Sequence, residues 1–238
     1  MFRKTGTLSF ILLALALFIL PVAGCSGKSE PLNINFDLNQ IGEGWGGGFA
    51  DLPVNFEQDS YQLDFGYTDS PLGGKAIMIS SMNRSDDVFM FIKKKITAAD
   101  GLSANTTYLV TIEVKFASNA PAGAMGVGGA PGEAVYVKVG AASIEPVPVD
   151  KDGFYELSVD KGQQSSGGRD AYVVGNVAKV VSDDFETYEL KTLSNQGNPL
   201  EVATDADGNM WIFVGTDSGF EGLTTLYYTE VSVTLEAK

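Results

Sequence analysis

From residue 33 onward, apolar and polar side chains alternate along the chain. The clearest run is Thr107 to Phe116, where Tyr108, Val110, Ile112, Val114 and Phe116 are separated by Leu109, Thr111, Glu113 and Lys115. A period of two sends successive side chains to opposite faces of a strand, as in a sheet with one face buried. The closing segment repeats the pattern, with Val231, Val233 and Leu235 facing one way and Ser232 and Thr234 the other. Shorter runs at 75–80, 88–96, 134–139, 155–159, 187–193 and 210–214 predict further strands. Asp-Gly pairs at 100–101, 152–153 and 207–208, and Gly-Gly pairs at 73–74, 128–129 and 167–168, supply turns between them. No stretch sustains a helical period. The pattern predicts an all-β chain, an antiparallel β-sandwich forming a single domain over residues 33–238. Two longer segments interrupt it: 117–132, rich in Gly, Ala and Pro, and 160–170, polar and Gly-rich. Both read as surface loops, where binding residues often sit.

The first residues follow a different pattern. Arg3 and Lys4 precede an apolar run from Leu8 to Leu20, broken only by Ser9 and ended by Pro21. That run is shorter than the about 20 residues a bilayer span needs and has the length of a signal peptide. The following Val22-Ala23-Gly24-Cys25 resembles the lipobox of bacterial lipoproteins. The resemblance implies that residues 1–24 are removed, that the Cys25 sulfur receives a diacylglyceryl group, and that its freed amine is acylated, typically with palmitate. Two or more acyl chains hold a protein stably at a membrane. Residues 25–32 then form a lipidated tether. Ser26, where an Asp would retain the protein in the inner membrane, implies the outer membrane if the host is Gram-negative. The expected location is the cell envelope, facing the periplasm or the cell surface. Cys25 is the only cysteine, so no disulfide braces the domain and its stability must come from its core.

Charge narrows the partners. The chain has 16 basic and 30 acidic residues, a formal net charge of −14, and no histidine. Both Arg3 and Lys4 lie in the predicted signal, which holds no acidic residue, so the mature chain is more acidic still. Nucleic acid and anionic lipid both attract basic patches, and neither is expected as a partner. Without histidine, Asp217-Ser218-Gly219 cannot belong to a Ser-His-Asp triad. With the one cysteine lipidated, no zinc site is expected either. The 215–222 segment reads first as a polar hairpin loop carrying Phe220, and second as a binding loop. Asp205-Ala206-Asp207-Gly208-Asn209 reads as an Asp-Gly turn rather than a calcium loop.

Ligand-binding candidates are the aromatic and charged side chains that suit a sugar, which offers apolar C–H faces and polar edges. Trp45 lies in the Gly-rich run 42–48, read as a loop where a ligand approaches closely or where the ring plugs one end of the sandwich. Trp211 and Phe213 share the strand face opposite Met210, Ile212 and Val214. That face is a second buried layer, the favoured reading, or an aromatic binding face. Tyr136 opposes Val135 and Val137 and is expected to be exposed. Arg84 suits sugar hydroxyls or a carboxylate, though a satisfied surface arginine is the plainer reading.

Three short motifs carry a family resemblance. Asn105-Thr106-Thr107-Tyr108 resembles the entry to a central strand of jelly-roll carbohydrate-binding modules and galactose-binding-like domains. Tyr227-Tyr228-Thr229-Glu230-Val231-Ser232-Val233 resembles their last strand, and Asn35-Phe36-Asp37 their first. The resemblance implies a jelly roll and a structural calcium ion shared by Asp37 and Glu230, the latter standing where Asp is commoner. The resulting expectation is a non-catalytic lipoprotein binding a glycan or glycan-like polymer. The alternatives are an envelope structural lipoprotein that docks a protein partner, and a small glycan hydrolase or lyase, since glycoside hydrolysis needs only two carboxylates.

Overall fold

The structure is a computed structural model and describes residues 1, 30–40, 44–84, 87–181 and 183–238. The predicted signal after Met1, Cys25, most of the tether, and Gly42 and Glu43 of the Trp45 run lie outside the described residues. The strands in chain order are β1 (Leu32–Asp37), β2 (Trp45–Ala50), β3 (Leu52–Pro53), β4 (Asp64–Asp69) and β5 (Lys75–Met82). Then come β6 (Val88–Ile96), β7 (Thr107–Ser118), β8 (Val135–Ala142), β9 (Pro148–Lys151) and β10 (Phe154–Leu157). The last are β11 (Ala171–Asn176), β12 (Glu189–Ser194), β13 (Leu200–Ala203), β14 (Met210–Ser218) and β15 (Leu223–Ala237).

Two antiparallel sheets make a β-sandwich of jelly-roll type. One runs β12-β7-β15-β5-β4, with β1 also paired to β15 and β13 to β7. The other runs β11-β8-β14-β6-β2. The alternation along the chain sets what lies between them. Val110, Ile112, Val114 and Phe116 of β7 share one core with Val135, Val137 and Val139 of β8 and Met210, Ile212 and Val214 of β14. Each such side chain, fully buried, contributes about 1.5–3 kcal/mol relative to an exposed one. In β15 the inward set changes parity, from Leu226 and Tyr228 to Val231, Val233 and Leu235. The register against β7 shifts between Tyr228 and Glu230, so Thr229 is the extra residue of a bulge. A one-residue insertion flips every later side chain to the other face, and here it keeps the apolar ones inside.

The outer face of the β11-β8-β14-β6-β2 sheet is also covered. Phe89, Phe91 and Phe213 form a second apolar layer with Ala50, Ala142, Leu157, Val159 and Ala171. The covering chain includes a small sheet ordered β3-β10-β9 and the segment that follows it. Glycines make the room: a Cβ on Gly140 would lie 2.1 Å from the Phe213 ring, and one on Gly215 2.6 Å from the Phe89 ring. Phe213 therefore belongs to a buried layer, and that face is no open aromatic platform.

Candidate ligand cleft

Alternation carries polar groups onto the same outer face. Beyond Phe213 and Gly215 on β14 comes Asp217, which pairs across with Tyr136 of β8 and Phe89 of β6. On β8, Lys138 lies opposite Gly215. The second layer closes over both, and Lys138 and Asp217 have no exposed side-chain surface. Lys138 Nζ lies 2.7 Å from Asp217 Oδ2. Lys161 Nζ donates to that oxygen at 2.8 Å, and the Gln164 backbone N–H donates to it at 3.0 Å. Lys138 also donates to the carbonyls of Lys161 and Ser166, at 3.0 and 3.1 Å. Lys161 makes a further ion pair of 2.7 Å with Asp51 Oδ2 and sits 4.9 Å over the Phe89 ring. Asp87, just before β6, completes the cluster: one carboxylate oxygen each from Asp51, Asp87 and Asp217 lie within 4.8 Å of one another.

The electrostatics divide these acids. Burial pushes the Asp87 carboxyl up to about 8, helped by its hydrogen bond to Asp217 and by the charges of Asp217 and Asp51. Burial acts on Asp217 in the same direction, but Lys161, the bond from Asp87 and Lys138 outweigh it and hold Asp217 below the usual carboxylate range. Burial raises Asp51 against the pull of Lys161. At neutral pH Asp217 is ionised and Asp87 carries a proton. The oxygens stand near enough to share a divalent cation, but two ammonium groups already balance them. A calcium ion needs most of its shell from oxygen ligands and would here face two like charges, so the donor set does not fit one.

A cleft of about 640 Å³ opens in front of this cluster, with Asp51 and Asp87 at its inner end. The polar loop expected at 160–170 forms its wall. Asp160 accepts backbone N–H bonds from Gly162 at 3.1 Å and Arg169 at 3.0 Å. Those bonds, first Arg169 and then Gly162, lower its carboxyl. A Cβ on Gly168 would lie 2.2 Å from Asp160 Oδ1, so the loop closes around the carboxylate only because that residue is glycine. At the rim, Arg169 forms a two-pronged pair with Asp170, at 2.9 and 2.8 Å, and Lys151 pairs with Glu156 at 2.9 Å. Phe154, from β10, also lines the cleft and is 48% exposed. The cleft thus combines one apolar ring face with carboxylate and guanidinium groups held in place by their own partners.

None of Trp45, Arg84, Tyr136, Trp211 and Phe220 lines this cleft. Trp45 begins strand β2 rather than sitting in a loop, and its ring meets Phe36 edge-on at 5.5 Å against the main core. Its neighbouring glycines admit protein rings: a Cβ on Gly47 would lie 2.2 Å from Phe65, and one on Gly48 2.5 Å from Phe91. Arg84 is exposed and donates to the Ser60 carbonyl at 3.2 Å. Tyr136 is half-buried rather than exposed, between Asn176 of β11 and Asp217 of β14. Trp211 is half-buried with Lys93 Nζ 5.6 Å from its ring. Phe220 packs against the main core and over Gly126 and Gly222. Asp37 and Glu230 are cross-strand neighbours. Their carboxylates are engaged separately, Asp37 with Asn39 at 2.9 Å and Glu230 with Lys115 at 3.0 Å. Of the cluster, the sequence singles out only Asp217, within a predicted 215–222 loop whose first four residues instead end strand β14. The one available signal was Lys138 and Asp217, charges in strands whose other residues are nearly all apolar or small.

No protein-family model matches the chain, and no curated protein matches it. Solved structures do resemble it. One is a family 11 carbohydrate-binding module from Clostridium thermocellum in complex with a β-1,3-1,4-mixed-linked tetrasaccharide, 8% identical, covering 84% of this chain and 94% of that one, with a TM-score of 0.38. A mannan-recognising module, TmCBM27, is 12% identical over 87% of this chain and 98% of its own, with a TM-score of 0.39. A xylan-binding domain from Paenibacillus barcinonensis Xyn10C is 9% identical over 88% and 96%, with a TM-score of 0.36. At these scores the fold rests on the sheets themselves and any function on this chain's own residues.

Proposed function

We propose that this chain is a lipid-anchored, non-catalytic binding protein of the bacterial envelope whose cleft takes a stretch of a glycan. The observation that carries this reading is the exposed Phe154 ring sharing one cleft with Asp160 and Arg169. An aromatic face suits the C–H side of a pyranose, and fixed planar polar groups suit its hydroxyls. The anchor rests on Val22 to Cys25 and on the apolar run before it. The test is a glycan-array screen of the full chain in detergent, alongside Phe154→Ala. A reproducible hit weakened tenfold or more by Phe154→Ala supports the reading. Silence from folded protein, or a hit indifferent to Phe154, overturns it.

One observation favours a second reading. Asp51 and Asp87 bring two carboxyls to the same cleft, and burial raises both, Asp87 to about 8; a glycoside hydrolase also uses a pair of carboxyls, one with a raised pKa. Against it, the Asp51 carboxylate is tied to Lys161 at 2.7 Å. Release of reducing ends from any glycan found by the array, lost in Asp87→Asn, would replace the binding module with an enzyme.

A further inference from the structure

The buried cluster has more acceptors than donors. Asp217 Oδ2 takes three donors: Lys138 Nζ, Lys161 Nζ and the Gln164 N–H. Asp217 Oδ1 and Asp87 Oδ1, both buried, take none. Two buried carboxylates left facing each other without a hydrogen between them would repel in a medium that screens poorly. One proton removes the repulsion and supplies the missing bond. It also balances the count, since Asp51, Asp87 and Asp217 face only two ammonium groups, Lys138 and Lys161.

The same cluster ties the cleft wall to the sheet. Lys161 and Gln164 of the wall bind Asp217 of β14, and the wall's carbonyls at Lys161 and Ser166 bind Lys138 of β8. We infer that one proton, held between Asp87 and Asp217, latches the 160–168 segment onto the β-sandwich, so that opening this wall of the cleft releases the proton. The charged groups facing the pair are Asp51 from the β2–β3 junction, Lys138 from β8 and Lys161 from the wall, with Asp160 and Arg169 at the rim. The direction of the pH dependence follows. When the wall is closed, burial raises Asp87 to about 8. When it is open to water, an aspartate titrates near about 4. Between those values opening loses a proton, so each rise of one pH unit favours the open wall by up to about tenfold. Below about 4 and above about 8 this dependence stops. The latch is tightest in acid and weakest from pH 8 upward.

The inference stands apart from the glycan reading, because its readout uses no ligand. Hydrogen exchange of the full chain in detergent, followed by mass spectrometry of its peptides at pH 5, 6, 7 and 8 and corrected for intrinsic exchange, measures opening of the wall. Peptides covering 160–168 are expected to lose protection by up to tenfold per pH unit, while those from β7 and β15 keep theirs. Asp87→Asn keeps a donor toward Asp217 but cannot titrate, and its wall protection is expected to be flat with pH. A flat wild type, or an unchanged slope in Asp87→Asn, overturns the latch. If the variant does not fold, carboxyl 13C shifts of aspartate-labelled wild type decide: one carboxyl titrating near pH 8 supports the proton, and none above pH 6 removes it. Protection recovered at pH 8 on adding calcium would also overturn it, since a cation would then be filling the proton's place.

Discussion

Lys138 Nζ lies 2.7 Å from Asp217 Oδ2, and neither side chain has any exposed surface. A buried ion pair gives little net stability against an apolar pair of equal volume, but removing one partner strands the other. Lys138→Met leaves Asp217 with Lys161 and the Gln164 N–H, so it is expected to destabilise the domain by less than the about 3–5 kcal/mol of an uncompensated buried charge. Replacing both, as Lys138→Met with Asp217→Leu, should recover part of that loss, although Lys161 then keeps only Asp51. Urea unfolding of the two variants checks this. Equal midpoints for wild type and Lys138→Met would mean that the pair is not sealed as the structure shows.

The second apolar layer makes its own prediction. Phe213 lies across from Gly140, and a methyl group there would meet the ring at 2.1 Å. The ring has nowhere to retreat, being fully buried among Phe89, Phe91 and Leu157. Gly140→Ala is expected to cost about 1–3 kcal/mol through overpacking. Gly73→Ala, where nothing lies within 4 Å, introduces no clash and serves as the comparison for backbone strain alone at positive φ. Thermal unfolding of the two separates crowding from strain.

Much of the fold was legible because one physical rule governed it. Strands β7 and β15 bury one face and alternate, and their residues announced the sandwich. Strands β4, β9 and β11 were not marked: their mostly exposed or half-exposed side chains leave little contrast between faces. Strand β13 does alternate, with Leu200 and Val202 in the main core, but over only four residues. The parity change at Thr229 was equally hidden, since a bulge is a property of pairing, not of one strand. The cleft was least legible. Residues 51, 87, 138, 161 and 217 meet only through the topology, and no spacing along the chain records that meeting. Trp45 shows the opposite error. A tryptophan among glycines suggested an open loop, yet the glycines are small because Phe65 and Phe91 stand over them.

The lipid anchor is tested at a single atom. Thioether formation needs the Cys25 sulfur, and a hydroxyl in its place is a far weaker nucleophile. Cys25→Ser is expected to abolish incorporation of labelled palmitate and to leave the chain uncleaved before residue 25. Mass spectrometry of the mature N-terminus reads both. An unmodified, cleaved cysteine in the wild type would reduce the lipobox resemblance to an ordinary signal peptide.

Trp45 and Phe154 are expected to respond in opposite ways, and the contrast separates packing from binding. Trp45 meets Phe36 edge-on at 5.5 Å and packs on the main core, so Trp45→Ala removes a packed ring. Because the ring is only partly buried, the loss falls below the about 3–5 kcal/mol of a fully buried one. Glycan affinity should be unchanged, since Trp45 does not reach the cleft. Phe154 is 48% exposed and belongs to none of the buried clusters, so Phe154→Ala leaves stability within about 0.5 kcal/mol. Its loss removes the one apolar ring of the cleft, and affinity should fall tenfold or more. Calorimetric titration against an array hit, paired with a melting curve for each variant, measures both quantities. If Trp45→Ala weakened binding while Phe154→Ala did not, the ligand would sit near the β1–β2 end of the sandwich, and the cleft would be no more than the outer surface of a buried charge cluster.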